Sequence, residues 1–394
     1  MSEGEAPLPL EETVHPRHNR TPGPQAAGEA PSPLEDTTEY ANYFITYAYL
    51  YHQKQMLEDH VRMVSYRNAI LGNRACFEGK TVLDVGTGSG VLAIWAAQAG
   101  ARKVYAVEAT DAAKFARAMV SHNKLDGVVT VLQRKMEDVE LPEQVDIIVS
   151  EWMGYMLLRE SMLDSVIVAR DRWLKPGGSL WPSKATIYLA PIRTPLLEER
   201  SSQLTNALSG WSSFAQYMLD EHGIAVDCLN EAFSEEHHAY FLRTSQWRAL
   251  EAEAVVGDAC TWYAFDVATV TIDELKDKAR GRFECAIRTP GPVHALAGWF
   301  DVVFDGSAQQ PAALPVVLST APSVGYTHWG QQVFLLSGQI FADKGDVLHG
   351  DAALTRQRNN PRTLNFDVAC ALHRARTKAV GPAKPQRKIR YAID

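Results

Sequence analysis

The chain lacks the marks of several large protein classes. Its five cysteines (Cys76, Cys228, Cys260, Cys285 and Cys370) are odd in number and scattered, with no Cys-x-x-Cys pair. That excludes a disulfide framework and a zinc ribbon, and no metal site is expected. No apolar run approaches the ~18 residues that would cross a bilayer, and no basic-then-apolar leader opens the chain. A soluble protein of a reducing compartment, nucleus or cytoplasm, is expected, with no membrane partner. Positive charge is also in short supply, since 39 Lys and Arg face 47 Asp and Glu for a net −8. Such a surface is poorly suited to direct nucleic-acid binding and better suited to a cationic partner. Aromatics are missing altogether before Tyr40, where residues 1–39 hold seven prolines and eight acids. Too little apolar area is available there to offset the entropy of ordering, so an acidic, Pro-rich disordered tail is expected.

The rest reads as globular. Hydrophobic residues make up 46% and charged residues 22% of 394 positions. This length exceeds one domain of ~100–200 residues, so two packing units are expected. From Tyr40 to about Leu71 apolar residues recur at helical spacing. Short apolar runs then alternate with helical stretches. Residues 80–86, 103–108, 128–133 and 145–150 read as strands, and Val91–Ala99 and Ala112–Lys124 as helices. Continuous apolar strands separated by helices predict a parallel sheet covered on both faces. After a Lys-Pro-Gly-Gly turn at 175–178 the pattern becomes β, with a helical interruption around Leu197–Leu229. The boundary is placed near residue 185, giving an α/β domain over 40–184 and a β sandwich or barrel over 185–394. Between His373 and Arg390 stand seven basic residues and no acid (Arg374, Arg376, Lys378, Lys384, Arg387, Lys388 and Arg390). They read first as a solvated terminal strand and loop, with a nuclear address or an anion contact as the less favoured alternatives.

The sharpest local feature is Asp84-Val85-Gly86-Thr87-Gly88-Ser89-Gly90, which ends the first strand and opens a helix. Glycines there allow a tight turn and close approach of a ligand to helix N-terminal amides. Glu108 ends the next strand, 22 residues after Gly86, where a doubly wound fold puts the acid that accepts ribose hydroxyls. The third glycine comes one place too early for the dinucleotide fingerprint, and Asp84 suits a positively charged ligand better than a pyrophosphate. S-adenosylmethionine is therefore favoured, with a dehydrogenase as the minor alternative. Beyond the fourth strand, Glu151 and Glu160 stand nine residues apart around Gly154, which lets the chain double back. Two carboxylates in that crevice match a planar guanidinium, whose fork of donors pairs bidentately with each. For an isolated Glu a solvated helix face or a cap is the ordinary reading, but the apolar residues between these two suggest a buried loop.

Taken in order, VLDVGTGSG, VEA, SEWMGYMLLRE and THWGQQVF resemble the protein arginine methyltransferases, from about Tyr40 onwards, and details resemble the plant- and alga-type member. The resemblance implies a Rossmann-like class I methyltransferase domain, then a β-barrel-like domain carrying a helical dimerisation arm at about 197–230. It implies that Glu151 and Glu160 hold the substrate guanidinium, and that His328 completes the pocket and pairs with Asp59. It matches Tyr43, Phe44 and Tyr47 to a cofactor lid, Arg62 to the methionyl carboxylate and Glu137 to the adenine amino group. Gln53 stands where the family usually has histidine. Tyr47, Met56, Tyr155, Met162 and Trp329 are expected to line the substrate pocket. Met56 and Met162 match methionines that accompany asymmetric dimethylation, which places the chain with the type I enzymes. Met56, Asp59 and Arg62, three apart, are expected along one helix face. The arm's apolar face is expected to include Trp211, Phe214, Tyr217 and Met218 and to serve a homodimer. Expected substrates are basic arginine-containing proteins such as histone tails and Arg/Gly-rich proteins. Two rival readings are a methylarginine-binding scaffold that keeps the fold and a small-molecule methyltransferase. An intact glycine loop and both glutamates disfavour the first, and the large added β domain disfavours the second.

Overall fold

A computed structural model describes residues 45–277, 279–358, 360–375 and 388–393. The tail at 1–39, Tyr40, Tyr43 and Phe44 lie outside the described residues, as do Arg376, Lys378, Lys384 and Arg387 of the basic run.

Two helices, Leu50–Glu58 and His60–Leu71, lead into the first domain. The single helical stretch expected here is broken at Asp59, whose backbone is extended and whose carboxylate accepts the amide N–H of Arg62 at 3.0 Å. An acceptor at that place satisfies an orphan donor of the helix N-terminus, so the second helix starts afresh. Asp59 is thus a joint, and Met56 and Arg62 belong to different helices instead of sharing one face.

The parallel sheet follows the sequence closely. Strands β1 (Thr81–Val85), β2 (Lys103–Glu108), β3 (Val129–Gln133), β4 (Val145–Ser150) and β5 (Leu174–Trp181) lie in the order β3-β2-β1-β4-β5. Every pairing is parallel. Residues 175–178, expected as a turn, lie inside β5, where the register against β4 shifts between Val145 and Ile147. The glycines mark a bulge and not a chain reversal. Strand order reverses between β1 and β4, so the loops leaving these two strands open into one crevice.

The β domain begins at β6 (Lys184–Ile192), next to the expected boundary. It continues through β7 (Gln246–Arg248), β8 (Cys260–Asp266), β9 (Ala279–Ala286), β10 (Gly291–Gly306), β11 (Pro311–Ser319), β12 (Gln331–Ala342), β13 (Val347–Arg356), β14 (Leu364–His373) and β15 (Ile389–Ile393). One antiparallel sheet runs β7-β12-β10-β6-β8 with β11 also on β10, and the other runs β15-β14-β13-β9. Phe283, Phe300, Phe334, Phe366 and Tyr391 are buried in the core, and Phe304 meets the ring of Tyr66 edge-on. Of the basic run, Arg390 lies in β15 and pairs bidentately with Asp367 at 2.7 and 2.8 Å.

The arm is larger than expected. It comprises helices Leu196–His222 and Asn230–Leu242, joined by a short turn of 3-10 helix. Trp211 stacks on Phe233 with ring centroids 4.2 Å apart, fastening the two helices together. Phe214, Tyr217 and Leu219 stay exposed, so this face does not cover its own barrel.

Candidate functional site

The glycine loop has the backbone its residues predict. Gly86, Gly88 and Gly90 all have positive φ (71°, 54° and 89°), which L side chains rarely adopt. A Cβ on Gly88 would lie 2.8 Å from Oε1 of Gln53, so Gln53 rests directly on the loop. Its amide also donates to the carbonyl of Tyr47 at 3.1 Å. Glu108 accepts from the amides of Gly88 and Thr110, both at 2.8 Å, which holds its carboxylate at the end of β2. Beneath the loop Asp84 is fully buried, and burial pushes its carboxyl up to about 7 despite the Thr87 hydroxyl donating to it at 2.5 Å. The backbone of Ala93 also favours the Asp84 carboxylate, and Oδ1 makes no well-formed hydrogen bond. A buried carboxylate beneath a tightly turned glycine loop fits a cationic nucleoside ligand.

The double-glutamate loop is held by burial. Met156 and Leu157 are 2% and 0% exposed, although both have left-handed backbones (φ 51° and 70°). Such residues cost ~1–3 kcal/mol each, and burial of a large apolar side chain returns ~1.5–3 kcal/mol, so packing can hold the strain. A Cβ on Gly154 would sit 2.1 Å from the carbonyl oxygen of Arg159, where the loop doubles back. The amide of Gly154 donates to the carbonyl of Leu157 at 3.0 Å. At the root of the loop, Ser150 Oγ donates to the Val85 carbonyl at 2.7 Å and Tyr66 donates to the Ser150 carbonyl at 2.8 Å.

Both glutamates have cationic or hydroxyl donors within the protein. Nε of Arg62 donates to Glu151 at 3.1 Å, with only 8% and 9% of the two side chains exposed. Tyr47 donates its hydroxyl to Oε2 of Glu160 at 2.7 Å, and Arg159 reaches Oε1 at 3.2 Å. Arg62, matched by resemblance to the cofactor carboxylate, is thus a guanidinium paired with Glu151. Tyr47, matched to the cofactor lid, also meets Glu160.

From the β domain, His328 meets the buried Asp59. Its amide and Nδ1 lie 2.9 and 2.6 Å from Oδ2. Burial would raise the Asp59 carboxyl, but the His328 ring and the amides of Arg62 and His328 together hold it below the ordinary value. Trp329 is 3% exposed and donates its indole N–H to the Met153 carbonyl at 2.8 Å, so it braces the glutamate loop from beneath. Met162 rests against Gly86, joining the glutamate loop to the glycine loop. Met56 accepts from Arg62 through its carbonyl at 3.1 Å, and Tyr155 lies under the Arg159 guanidinium, 5.5 Å from its ring centroid. Glu137 is exposed and accepts from the Ser165 hydroxyl at 2.7 Å.

Sequence reasoning passed over Ser150, Tyr66, Arg159 and Arg362. Arg159 was legible as the neighbour of Glu160. Arg362 was not, because it reaches the site from 202 residues away.

The chain was compared with known proteins. A family profile described as the arginine methyltransferase oligomerization subdomain matches residues 183–374, and one for ribosomal protein L11 methyltransferase matches 71–181. Protein arginine N-methyltransferase PRMT10 of Oryza sativa subsp. japonica is 48% identical over 342 residues, covering 86% of this chain and 90% of that protein. The Arabidopsis thaliana PRMT10 is 44% identical over 357 residues, covering 90% and 92%. Among solved structures, Arabidopsis thaliana protein arginine methyltransferase 10, described as a uniquely open conformation, superposes with a TM-score of 0.86 at 43% identity. It covers 89% of this chain and 100% of that one. The Trypanosoma brucei PRMT1 enzyme–prozyme heterotetrameric complex with AdoHcy gives 0.73 at 29% identity, covering 89% and 100%.

Proposed function

Because the chain belongs to the protein arginine N-methyltransferases, enzymes that use S-adenosylmethionine, we propose that Glu151 and Glu160 hold the substrate guanidinium between them. The observation that carries this is the reach of one short segment. Between residues 47 and 62, Tyr47 binds Glu160, Gln53 lies on Gly88, Asp59 binds His328 and Arg62 binds Glu151. Cofactor loop, clamp loop and Thr-His-Trp loop thus converge on that one segment.

The residues present fit the cofactor. Glu108 has lone pairs for ribose hydroxyls, Asp84 is a buried carboxylate beneath the glycine loop, and Glu137 offers an exposed carboxylate to the adenine amino group. When bound, S-adenosylmethionine supplies an electrophilic methyl group. The chain's own task is to make a protonated, delocalised guanidinium into a nucleophile and to orient it in line. Carboxylates on two sides draw positive charge towards the nitrogens they touch and leave the remaining nitrogen richer in electron density. With Nδ1 of His328 committed to Asp59, Nε2 is the ring nitrogen left to take the released proton, and Glu160 is the competing acceptor. Met56 and Met162, in place of a bulky aromatic at the first position, support monomethyl- and asymmetric dimethylarginine as products. The net negative charge of the chain supports basic substrates such as histone tails and Arg/Gly-rich proteins. The exposed aromatic face of the arm supports a homodimer.

The test is Glu151→Gln and Glu160→Gln with a Gly-Arg-rich peptide. Both variants are expected to abolish transfer while calorimetric affinity for the cofactor changes little. Near-normal turnover in either removes the clamp. Fragment spectra of the wild-type product that lose neutral dimethylamine identify the asymmetric isomer, and monomethylarginine alone refutes it.

A further inference from the structure

We propose that the β13–β14 turn of the barrel is a clamp that positions Glu160, with Arg362 as its positioning residue. This rests on the role given to Glu160 above. Both backbone polar groups of Glu160 end on that one residue. The Glu160 amide donates to the Arg362 carbonyl at 2.7 Å, and Nη1 of Arg362 donates to the Glu160 carbonyl at 2.8 Å. The next residue is tied to the same turn, since Ser161 Oγ donates to the Pro361 carbonyl at 2.6 Å. One turn of chain later, Arg356 at the end of β13 grips Asp164 bidentately at 2.7 and 2.6 Å.

These bonds fall where the backbone needs them. Glu160 and Ser161 have φ of +79° and +57°, and neither is glycine. Left to itself such a pair relaxes into the ordinary regions and turns the Glu160 side chain away. It persists only where surrounding contacts over-determine it. Met156 and Leu157 are held by burial, but Glu160 and Ser161 are only half-buried, so hydrogen bonds do that work instead. The described residues of the turn are bonded to one another. Arg362 donates its amide to Oδ1 of Asn360 at 3.0 Å, Thr363 donates to the Asn360 carbonyl at 3.0 Å, and Gln357 donates to the Thr363 carbonyl at 3.0 Å. The labour is divided. Tyr47 and Arg159 orient the carboxylate oxygens, while Arg362 fixes the backbone that carries them.

The experiment compares Arg362→Ala, Arg362→Lys and Glu160→Gln in the full chain, reading kcat and KM for a Gly-Arg-rich peptide, cofactor affinity by calorimetry, and near-UV circular dichroism. A misplacement of ~1 Å in a positioned group costs about 100-fold, so Arg362→Ala is expected to lower kcat by ~10- to 100-fold with cofactor affinity within about twofold. Arg362→Lys keeps a donor and is expected to recover part of the loss. An Arg362→Ala kcat within about twofold of wild type, beside an inactive Glu160→Gln, overturns the positioning role while leaving the guanidinium clamp intact. A parallel collapse of kcat, cofactor affinity and near-UV signal in both Arg362 variants overturns it in favour of a purely structural bond. Normal turnover by Glu160→Gln removes the premise, and the inference with it.

Discussion

Asp59 offers the cleanest separation of stability from catalysis. Its carboxylate accepts three hydrogen bonds, from the Arg62 amide at 3.0 Å, the His328 amide at 2.9 Å and His328 Nδ1 at 2.6 Å, and it is 2% exposed. Asp59→Ala deletes all three. The lost helix cap costs ~1 kcal/mol, the amide bond ~1 kcal/mol and the charge-assisted bond ~2 kcal/mol, for roughly 3–5 kcal/mol of stability. Asp59→Asn is milder, because a carboxamide oxygen still caps the second helix. It cannot accept from the amide and ring of His328 as a carboxylate does. Its NH2 group instead favours the tautomer in which Nδ1 accepts and Nε2 carries the proton. The expected loss is ~1–2 kcal/mol in stability but about 100- to 10,000-fold in kcat, since the basic nitrogen is gone. Denaturant midpoints and peptide kcat between pH 6 and 9 measure both. Asn turnover matching wild type across that range refutes the proton-acceptor role, and Ala stability matching wild type refutes the structural reasoning. The pH sign is fixed too. The Asp59 carboxyl is lowered in the folded chain, so its stabilisation is complete above the ordinary carboxylate range and is lost as pH falls through the lowered value.

Asp84 works in the opposite direction. Burial raises its carboxyl to about 7, so it detracts from stability as pH climbs towards 7, and its ionisation favours a cation. Affinity for the cationic cofactor is therefore expected to rise about tenfold between pH 6 and 8 by calorimetry, and Asp84→Asn to flatten the rise; a flat wild-type profile refutes this. Replacing Phe214 and Tyr217 together by Asp is expected to yield monomers in sedimentation runs, and an unchanged dimer sinks the role given to the arm.

The α/β half was legible because its signals are local. Continuous apolar strands, glycines at a corner and an acid at the end of the next strand all lie within a few dozen residues, and β2 and β4 fall where the pattern put them. The break at Asp59 escaped because periodicity continues across it, and only the cap contact shows that a new helix begins. The Lys-Pro-Gly-Gly bulge escaped because turn residues also serve to kink a strand. In the site, residue types announced the carboxylates but not their occupants. That Arg62 sits on Glu151, and that Arg362 holds Glu160, are pairings across 89 and 202 residues, and no local pattern encodes such a distance.

The same long separations bear on when activity appears during folding. The cofactor loop and Glu108 lie within about one βαβ unit, whose loop closures are short. The contacts given catalytic and positioning roles above, Asp59 with His328 across 269 residues and Glu160 with Arg362 across 202, need the barrel in place. Nonlocal contacts of this kind form late, after most of the chain entropy has been lost. A refolding sample is expected to regain cofactor binding before turnover, and simultaneous recovery of the two would contradict that order. On that order of events a half-folded chain would bind the cofactor before it could use it.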